Sequence, residues 1–207
     1  MKSKQLIALG VMAFLATIIY YSISGGESPK DYAATILKER EEKQLFMKND
    51  NSSPFNMDSS IKFTALNYFA PDLKYKVNAN LTSIEHKKVV VLPTSDGVEK
   101  KYLEYAHAEF KLEGKENKLL ILEVMDAGRY RGTLFLAFAD DTSAEETYGA
   151  GRYLDLKKTP GATSLTIDFN KAYNPYCAYS DNFSCPFPPK ENVLTIAIKA
   201  GEKKYHN

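Results

Sequence analysis

The residue best suited to chemistry in this sequence is Arg152, which lies in a stretch of aromatic residues and glycines. The chain has four arginines against 23 lysines, so an arginine indicates that the planar guanidinium is needed for two-point pairing with carboxylates. Strand alternation places Arg152 on the face of Leu154 and Leu156. If that face is the core, the guanidinium needs buried carboxylates and hydrogen bonds. The candidate partners are Asp140, Glu146 and Asp168.

Two interpretations of this region are open. In the structural one, Arg152 is a buried ion-pair centre that fixes the register of the strands. In the functional one, Arg152 holds a small anion, and Asp140 or Asp168 acts as acid and base. Tyr148 and Asn170 then flank and orient the anion. Carboxylates at strand ends are more often turn formers or arginine partners, which favours the structural interpretation. Further candidates for structural or ion-pair roles are Glu146, Asn174, Glu191 and Glu202.

The two cysteines are the next candidates. Cys177 and Cys185 are separated by seven residues in a loop rich in Pro, Asn and Tyr. In an exported domain this predicts a disulfide that rigidifies the loop. A two-cysteine metal site completed by Asp168 or a histidine is a weaker alternative, because no nearby ligands are evident. The spacing excludes a C-x-x-C redox pair. No cofactor and no metal are expected.

Composition and missing motifs exclude several function classes. Apolar residues make up 44% of the chain and charged residues 26%, which excludes wholesale disorder and a polytopic membrane protein. The net charge of +1 provides no basic field for nucleic acid. The sequence contains no P-loop, no G-x-S-x-G elbow and no H-E-x-x-H motif. The 14 tyrosines could line an aromatic-binding face, although Tyr is also a common strand residue.

The N-terminal sequence is typical of a signal peptide or a signal anchor. Lys2 and Lys4 precede the uncharged apolar run 6–23, whose 18 residues lie at the lower limit for spanning a bilayer. The lysines place the N-terminus in the cytoplasm and the rest of the chain outside it. Residues 1–24 are therefore a signal anchor or a signal peptide, with a small-x-small pattern at 22–24 that permits cleavage. The prediction is a single-pass membrane protein with an extracytoplasmic C-terminal domain, or a periplasmic protein if the leader is removed.

A charged helix follows at 25–50. Ser28 is suited to the N-cap, Pro29 to the first helical position, and Asp31 to the first turn. The middle of the segment, 38–43, is wholly charged, and its apolar residues lie at the two ends. We interpret the segment as a stalk that is docked at its last turn at most.

Residues 51–207 are predicted to form the β domain. From residue 61 the apolar period is two, with runs at 75–81, 88–92, 101–112, 119–125, 133–139 and 165–169 and a last strand over Leu194, Ile196 and Ile198. Turn residues separate these runs, and no helical pattern intervenes. The predicted fold class is all-β, an antiparallel sandwich or barrel, preceded by an N-terminal transmembrane or signal helix and a charged helix.

Five long motif blocks lie in the second half of the chain. They are FADDTS (138–143), ETYGAGRYL (146–154), DFNKAYNPYC (168–177), CPFPPKEN (185–192) and AGEK (200–203). In these blocks the sequence resembles the bacterial and archaeal family called domain of unknown function 1684, over about residues 54–202. Ala144 and Ala150 stand where the family commonly has glycine. The resemblance implies a domain boundary and a choice of residues, and it implies no reaction.

These observations lead to one functional expectation and one alternative. We expect a membrane-tethered extracytoplasmic β domain that acts as a binding or structural module of the cell envelope, with the membrane contacted through residues 6–23. The alternative is a hydrolase that acts on an anionic small molecule at an arginine and carboxylate site. A small anionic ligand is a possible partner in either case, nucleic acid is not, and the sequence specifies no protein partner.

Overall fold

The computed structural model describes residues 27–126, 128 and 130–205 of the chain. The predicted signal or anchor segment, 1–24, lies outside the described residues. Within the described residues, no helix combines the length and the apolar character that crossing a bilayer requires.

A long helix precedes seven strands. Helix α1 spans Pro29–Asn49, and the single-turn helix α2 spans Pro54–Met57. The strands are β1 (Lys76–Ser83), β2 (Val89–Pro93), β3 (Glu99–Leu112), β4 (Lys115–Val124), β5 (Leu134–Phe138), β6 (Arg152–Leu156) and β7 (Ser164–Asp168). One-turn 3-10 helices lie at Leu73–Tyr75, Phe169–Lys171, Tyr176–Ala178 and Lys190–Asn192.

Helix α1 begins as the sequence predicted, with Ser28 at the N-cap and proline in the first turn. It does not stand free as a stalk. Its buried residues begin in the first turn and recur on one face down to the last turn: Tyr32, Ile36, Arg40 and Met47. The docking face was hidden in the sequence because one of its members, Arg40, is an arginine within the charged middle of the helix.

The strands form one antiparallel sheet in the order β6-β5-β4-β3-β1-β7. Strand β3 is long enough to pair with β2 through its first half and with β1 through its second half, while β4 follows its other edge. The β3–β4 hairpin closes through Glu113 and Gly114, both with positive φ, as a two-residue hairpin loop requires. The prediction of a mostly antiparallel β domain is confirmed, and the sheet curves into a half-barrel.

The sheet is covered on both faces, which gives the domain two main cores. One core contains Ala108, Leu136 and Leu154 and is continued by the C-terminal segment 193–200. The other core, on the opposite face, contains Tyr102, Phe135 and other residues near α1. All five residues of β5 are buried, as expected for a strand that is packed on both faces.

The predicted last strand is not formed. Leu194, Ile196 and Ile198 are buried in the core, so the apolar alternation correctly indicated one inward face. The segment is not part of the sheet, and its backbone makes only isolated bonds, such as the one from the Leu194 amide to the carbonyl of Ala139. In this segment the apolar alternation therefore indicates which side chains are buried, and it does not indicate a hydrogen-bonded strand.

Candidate functional site

Arg152 is the centre of a closed cluster beneath β6. Its Nη2 lies 2.7 Å from Oδ2 of Asp140, and each of the two side chains is 1% exposed. Nη2 also donates to the carbonyl of Ile198 at 2.9 Å, and Nη1 donates to the carbonyls of Ala200 and Glu202. The predicted inward orientation is confirmed, and Asp140 is the acid that accompanies it. We call Arg152, Asp140 and these three carbonyls the arginine cluster.

The arginine cluster has little capacity left for a ligand. Four guanidinium N–H groups are engaged, and Nε is the one guanidinium nitrogen without a partner within the described residues. Burial lowers the pKa of Arg152, and the adjacent Asp140 opposes that shift. Oδ1 of Asp140 accepts bonds from the Thr142 amide at 2.8 Å, the Thr142 hydroxyl at 2.6 Å and the Ile198 amide at 3.2 Å. The cluster joins the end of β5 to the C-terminal segment.

Asn192 performs a similar joining role nearby. Its side chain is buried, and Oδ1 accepts from the Leu120 amide at 2.7 Å. Its Nδ2 donates to the carbonyls of Leu120 at 2.9 Å and Ala137 at 2.8 Å. Asn192 thus fastens the loop before the C-terminal segment to β4 and β5. Asn192 lies in the fourth motif block but was not predicted individually as a site residue.

Glu202 and Asn174 meet in a second buried cluster. Oε1 of Glu202 accepts from Asn174 Nδ2 at 2.9 Å and from the Tyr179 hydroxyl. Oε2 lies 3.5 Å from the ammonium of Lys43, which reaches in from α1. Burial lowers the pKa of Lys43, an effect that Glu202 opposes, and burial raises the pKa of Tyr179. Both sequence candidates, Glu202 and Asn174, therefore connect the chain end to α1 and to the 174–179 loop.

Asp168 and Asn170 hold the first half of α1 and do not reach Arg152. Oδ1 of Asp168 accepts from the Tyr32 hydroxyl at 2.7 Å and from the Asn170 amide at 3.1 Å. The carbonyl of Asn170 accepts from Arg40 at 3.2 Å. Burial, followed by the Asp168 bond, raises the pKa of Tyr32. The partnership of Asp168 with Arg152, expected as one of three possibilities, is replaced by the contact with Tyr32.

The two remaining acidic candidates lie near the surface. Glu146 pairs with Lys199 at 2.8 Å, and this bond lowers the pKa of Glu146. Glu191 lies 3.2 Å from Nε2 of His107. Neither acid contacts Arg152, whose carboxylate partner is Asp140. The structure thus divides the predicted site residues among several separate clusters.

A cleft of about 690 Å³ separates α1 from the outer face of the sheet. We call it the aromatic cleft, because rings dominate its walls. The rings that line it belong to Phe46, Tyr68, Tyr102, Tyr130, Phe135, Tyr153, Tyr173, Tyr176 and Phe183. Several of these rings contact one another, as Tyr102 and Phe135 do in a stacked pair 5.3 Å apart. None of these residues was predicted individually, and only the high tyrosine content hinted at such a surface.

Four cations and two acids line the aromatic cleft. The cations are Arg40, Lys43, Lys100 and Lys171, and the acids are Glu39 and Asp155. Lys171 pairs with Glu39 at 2.7 Å, and Asp155 accepts from the Tyr173 hydroxyl at 3.0 Å. Lys100 donates to the carbonyl of Ser184 at 2.9 Å and forms no salt bridge with any described residue. The cleft therefore offers a positive group that no described carboxylate neutralises.

Three tyrosines of the cleft, Tyr102, Tyr153 and Tyr173, remain neutral hydroxyls over the physiological range. Burial raises the pKa of Tyr102 to about 12. Burial also raises the pKa of Tyr153 and of Tyr173, and Asp155 adds to the shift of Tyr173. The cleft thus presents apolar rings and neutral hydrogen-bonding groups beside its cations.

The predicted disulfide between Cys177 and Cys185 is not formed in the structure, and this corrects the sequence interpretation. Both residues are free thiols. They nevertheless lie side by side, because the Cys177 amide donates to Sγ of Cys185 at 3.1 Å. Proximity alone closes no covalent bond, since a disulfide also requires the removal of two electrons. Tyr148 lies here and not at Arg152, with its hydroxyl 3.9 Å from Sγ of Cys177.

Metal ligands are sparse in the described part of the chain. No group of three or more His, Cys, Asp or Glu side chains there is arranged to hold a metal ion. Asp168, which the weaker metal-site alternative requires as a ligand beside the cysteines, contacts Tyr32 of α1.

Comparisons with known proteins place these observations in a family. A solution NMR structure of an uncharacterized protein from Haloarcula marismortui is 38% identical, covers 84% of this chain and 95% of that chain, and superimposes with a TM-score of 0.62. No curated protein matches the sequence. Residues 61–203 match the family described as "Protein of unknown function (DUF1684)", a range that includes the sheet, the arginine cluster and both cysteines. The chain belongs to this family of unknown function, DUF1684.

Proposed function

We propose that this protein is a non-catalytic binding module of the cell envelope, and that the aromatic cleft binds a small organic anion with a flat apolar part. The observation that carries the proposal is the combination of an open cleft lined by rings with Lys100, an ammonium that has no acidic partner in the described chain. Ligand sites are typically concave and apolar, with a few polar groups that orient the ligand.

The cleft residues supply the two interactions that such a ligand requires. Flat rings stack on or pack edge-to-face against aromatic side chains, and each such contact adds to the free energy of burying apolar area. The stacked rings of Tyr102 and Phe135 form the floor of the cleft next to Lys100, which precedes Tyr102 by two residues on β3. An anionic group on the ligand then pairs with the Lys100 ammonium.

The membrane part of the proposal depends on the N-terminal sequence. The apolar run 6–23, outside the described residues, is the segment that tethers the domain or exports it. In either case the aromatic cleft operates outside the cytoplasm. The hydrolase alternative requires Arg152 to receive an anion, and four of its five N–H groups already bind the protein itself, so we favour binding over hydrolysis.

Fluorescence titration with 8-anilinonaphthalene-1-sulfonate tests the proposal, because this probe joins flat rings to one anionic group. The purified full chain should bind it, and Lys100→Ala should raise the Kd about five-fold, as the loss of one ion pair in water-like surroundings implies. Lys101→Ala is the matched control, since Lys101 lies on the opposite face of β3 and is exposed. Its Kd should equal that of the wild type.

The uncharged analogue N-phenyl-1-naphthylamine distinguishes binding through the charge from binding through the rings, and it should bind the wild type and Lys100→Ala equally. If the sulfonate probe binds the wild type, Lys100→Ala and Lys101→Ala with equal Kd, the basis for an anion site in the cleft is removed. Circular dichroism at each titration point checks that the fluorescence comes from folded protein, because partly unfolded chains also bind the sulfonate probe.

A further inference from the structure

The two cysteines form an asymmetric pair at the edge of the aromatic cleft. Cys185 is 7% exposed and lines the cleft, whereas Cys177 is only half-buried. Their loop, 177–185, brings the sulfurs together by folding and not by close spacing in the sequence. Cys177 lies in the short 3-10 helix Tyr176–Ala178, and its amide is directed at Sγ of Cys185.

Two neighbours define the surroundings of Cys177. The Tyr148 hydroxyl lies 3.9 Å from its sulfur, and Sγ of Cys185 accepts from its amide at 3.1 Å. Ser95, in the turn between β2 and β3, holds the loop by accepting from the Cys185 amide at 3.2 Å and donating to the Phe183 carbonyl at 3.0 Å. A hydroxyl donor such as that of Tyr148 stabilises the thiolate, which is the reactive form of cysteine.

We propose that Cys177 and Cys185 are a redox-active dithiol that reduces disulfides by thiol–disulfide exchange, with Cys177 as the attacking thiol and Cys185 as the resolving thiol. The substrate class is a small-molecule or peptide disulfide that reaches the exposed side of Cys177. This activity is separate from binding in the cleft and does not depend on it.

The exchange balances in two steps. The Cys177 thiolate attacks one sulfur of the substrate disulfide, a new S–S bond forms, and the other half of the substrate leaves as a thiolate that takes up a proton. Cys185 then loses its proton and attacks Sγ of Cys177, which releases the second half of the substrate. The protein dithiol is oxidised by two electrons to the Cys177–Cys185 disulfide, and the substrate disulfide is reduced to two thiols.

The electrostatics of the pair agree with these roles. The hydrogen bond from Cys185 lowers the pKa of Cys177 to about 7, against the effect of burial, and Tyr148 and Ser95 contribute in the same direction. The pKa of Cys185 is raised, first by that same bond and then by burial, although Lys100 on β3 opposes the shift. An attacking thiol reacts best when its pKa lies near the ambient pH, which fits Cys177 as the first nucleophile.

Mass spectrometry of the native, fully reduced chain incubated with oxidised glutathione tests this mechanism. The wild type should release two glutathione thiols per chain and finish with an internal disulfide. Cys185→Ser should stop after the first step, with one glutathione adduct that peptide mapping locates at Cys177. Cys177→Ser should form its adduct at least about ten-fold more slowly, because the remaining thiol is buried. Faster or equal reaction of Cys177→Ser, or no internal disulfide in the wild type, would overturn the proposal.

Tyr148→Phe distinguishes a tuned thiol from one that is merely accessible. Loss of the hydroxyl should slow adduct formation on native Cys185→Ser about three-fold at pH 7, and it should leave the rate in urea-denatured chains unchanged. Tyr105→Phe on β3, remote from the loop, is the matched control and should leave both rates unchanged. An unaltered native rate in Tyr148→Phe would show that Tyr148 does not assist Cys177.

Discussion

Two parts of the β domain satisfy their backbone hydrogen bonds in different ways. From 76 to 124 the chain forms β1 to β4, and the backbone groups pair with one another across long ladders. From 139 to 202 it forms only the two five-residue strands β6 and β7. Several of the remaining backbone groups there bond to buried side chains, chiefly Arg152 and Asp140, and Asn192 ties this region back to β4 and β5. We call these parts the ladder region and the side-chain region.

The difference determines which residues the fold depends on. In a ladder, backbone groups bind one another, so a surface side chain can change without leaving a buried group unpaired. In the side-chain region the buried side chains of Arg152 and Asp140 are themselves the partners of buried amides and carbonyls, and their loss leaves those groups unsatisfied. The motif blocks of the sequence fall in the side-chain region, where residue identity carries the hydrogen bonding.

The largest expected effect is that of Arg152→Met. The substitution leaves Asp140 charged, buried and without its cation. It also leaves the carbonyls of Ile198 and Ala200 without the donors that Arg152 provides. We expect the free energy of unfolding to fall by about 3–5 kcal/mol, measured by urea denaturation. Lys118→Met in the ladder region removes an exposed pair with Glu109 at 3.6 Å and should cost at most about 1 kcal/mol. Similar losses for the two variants would contradict the distinction between the regions.

Two glycine substitutions distinguish the loss of stability caused by tight packing from the loss caused by backbone conformation. Gly201 and Gly161 have φ values of +76° and +73°, so alanine at either should cost about 1–2 kcal/mol from conformation. A Cβ on Gly201 would lie 2.6 Å from the carbonyl of Ala172 and 2.7 Å from that of Phe169, whereas Gly161 has open space. Gly201→Ala should therefore lose a further roughly 1–3 kcal/mol by overpacking. If Gly201→Ala and Gly161→Ala unfold at the same urea concentration, the chain around Gly201 accommodates the added Cβ without a packing cost.

A smaller loss of stability is expected at helix α1, because several separate contacts hold it to the side-chain region and one substitution removes only one of them. Tyr32→Phe removes one donor from Asp168, which keeps its bonds to Asn170. A hydrogen bond to a charged group contributes about 1.5–3 kcal/mol, and the loss should lie at the low end of that range. Tyr105→Phe on β3 should change stability by less than about 0.5 kcal/mol. If both variants unfold at the same urea concentration, the Tyr32 contact does not secure α1.

The same division explains how much of the structure was predictable from sequence. Alternation and short apolar runs located β1 to β5 and β7, and alternation also predicted the inward orientation of Arg152, because residues on one face of a strand are buried together. It failed at Leu194, Ile196 and Ile198, where the same period belongs to a segment held by side chains. Apolar periodicity indicates which side chains are buried, but it does not indicate which groups form hydrogen bonds with the backbone.

The site was less predictable than the fold, because its contacts join residues far apart in the chain. Tyr32 and Asp168 are 136 residues apart, and Arg40 reaches Asn170 from a helix that looked like a free stalk. Lys100 and the rings of the aromatic cleft come from α1, from three strands and from loops, and only the docking of α1 over the sheet makes them the walls of one space. Such relations depend on tertiary packing, and no local pattern encodes them.

The smallest expected effect depends on pH and concerns the link between the loop after α2 and the side-chain region. Asp58 accepts bonds from Ser180 and Asn182, more than 120 residues away, and from Ser60 nearby. The Ser180 bond is the main cause that lowers the pKa of Asp58 to about 2, from 3.8. Because the folded-state pKa is depressed, the stabilisation is complete above the unfolded pKa and is lost as the pH falls through about 2.

Asp58→Asn should accordingly lower the urea midpoint at pH 6, and the difference from wild type should shrink between pH 4 and pH 2. Ser180→Ala should reproduce part of the loss at pH 6, because it removes the bond that contributes most to the shift. A wild-type advantage that persists undiminished at pH 2 would mean that the carboxylate charge is not what fastens this loop.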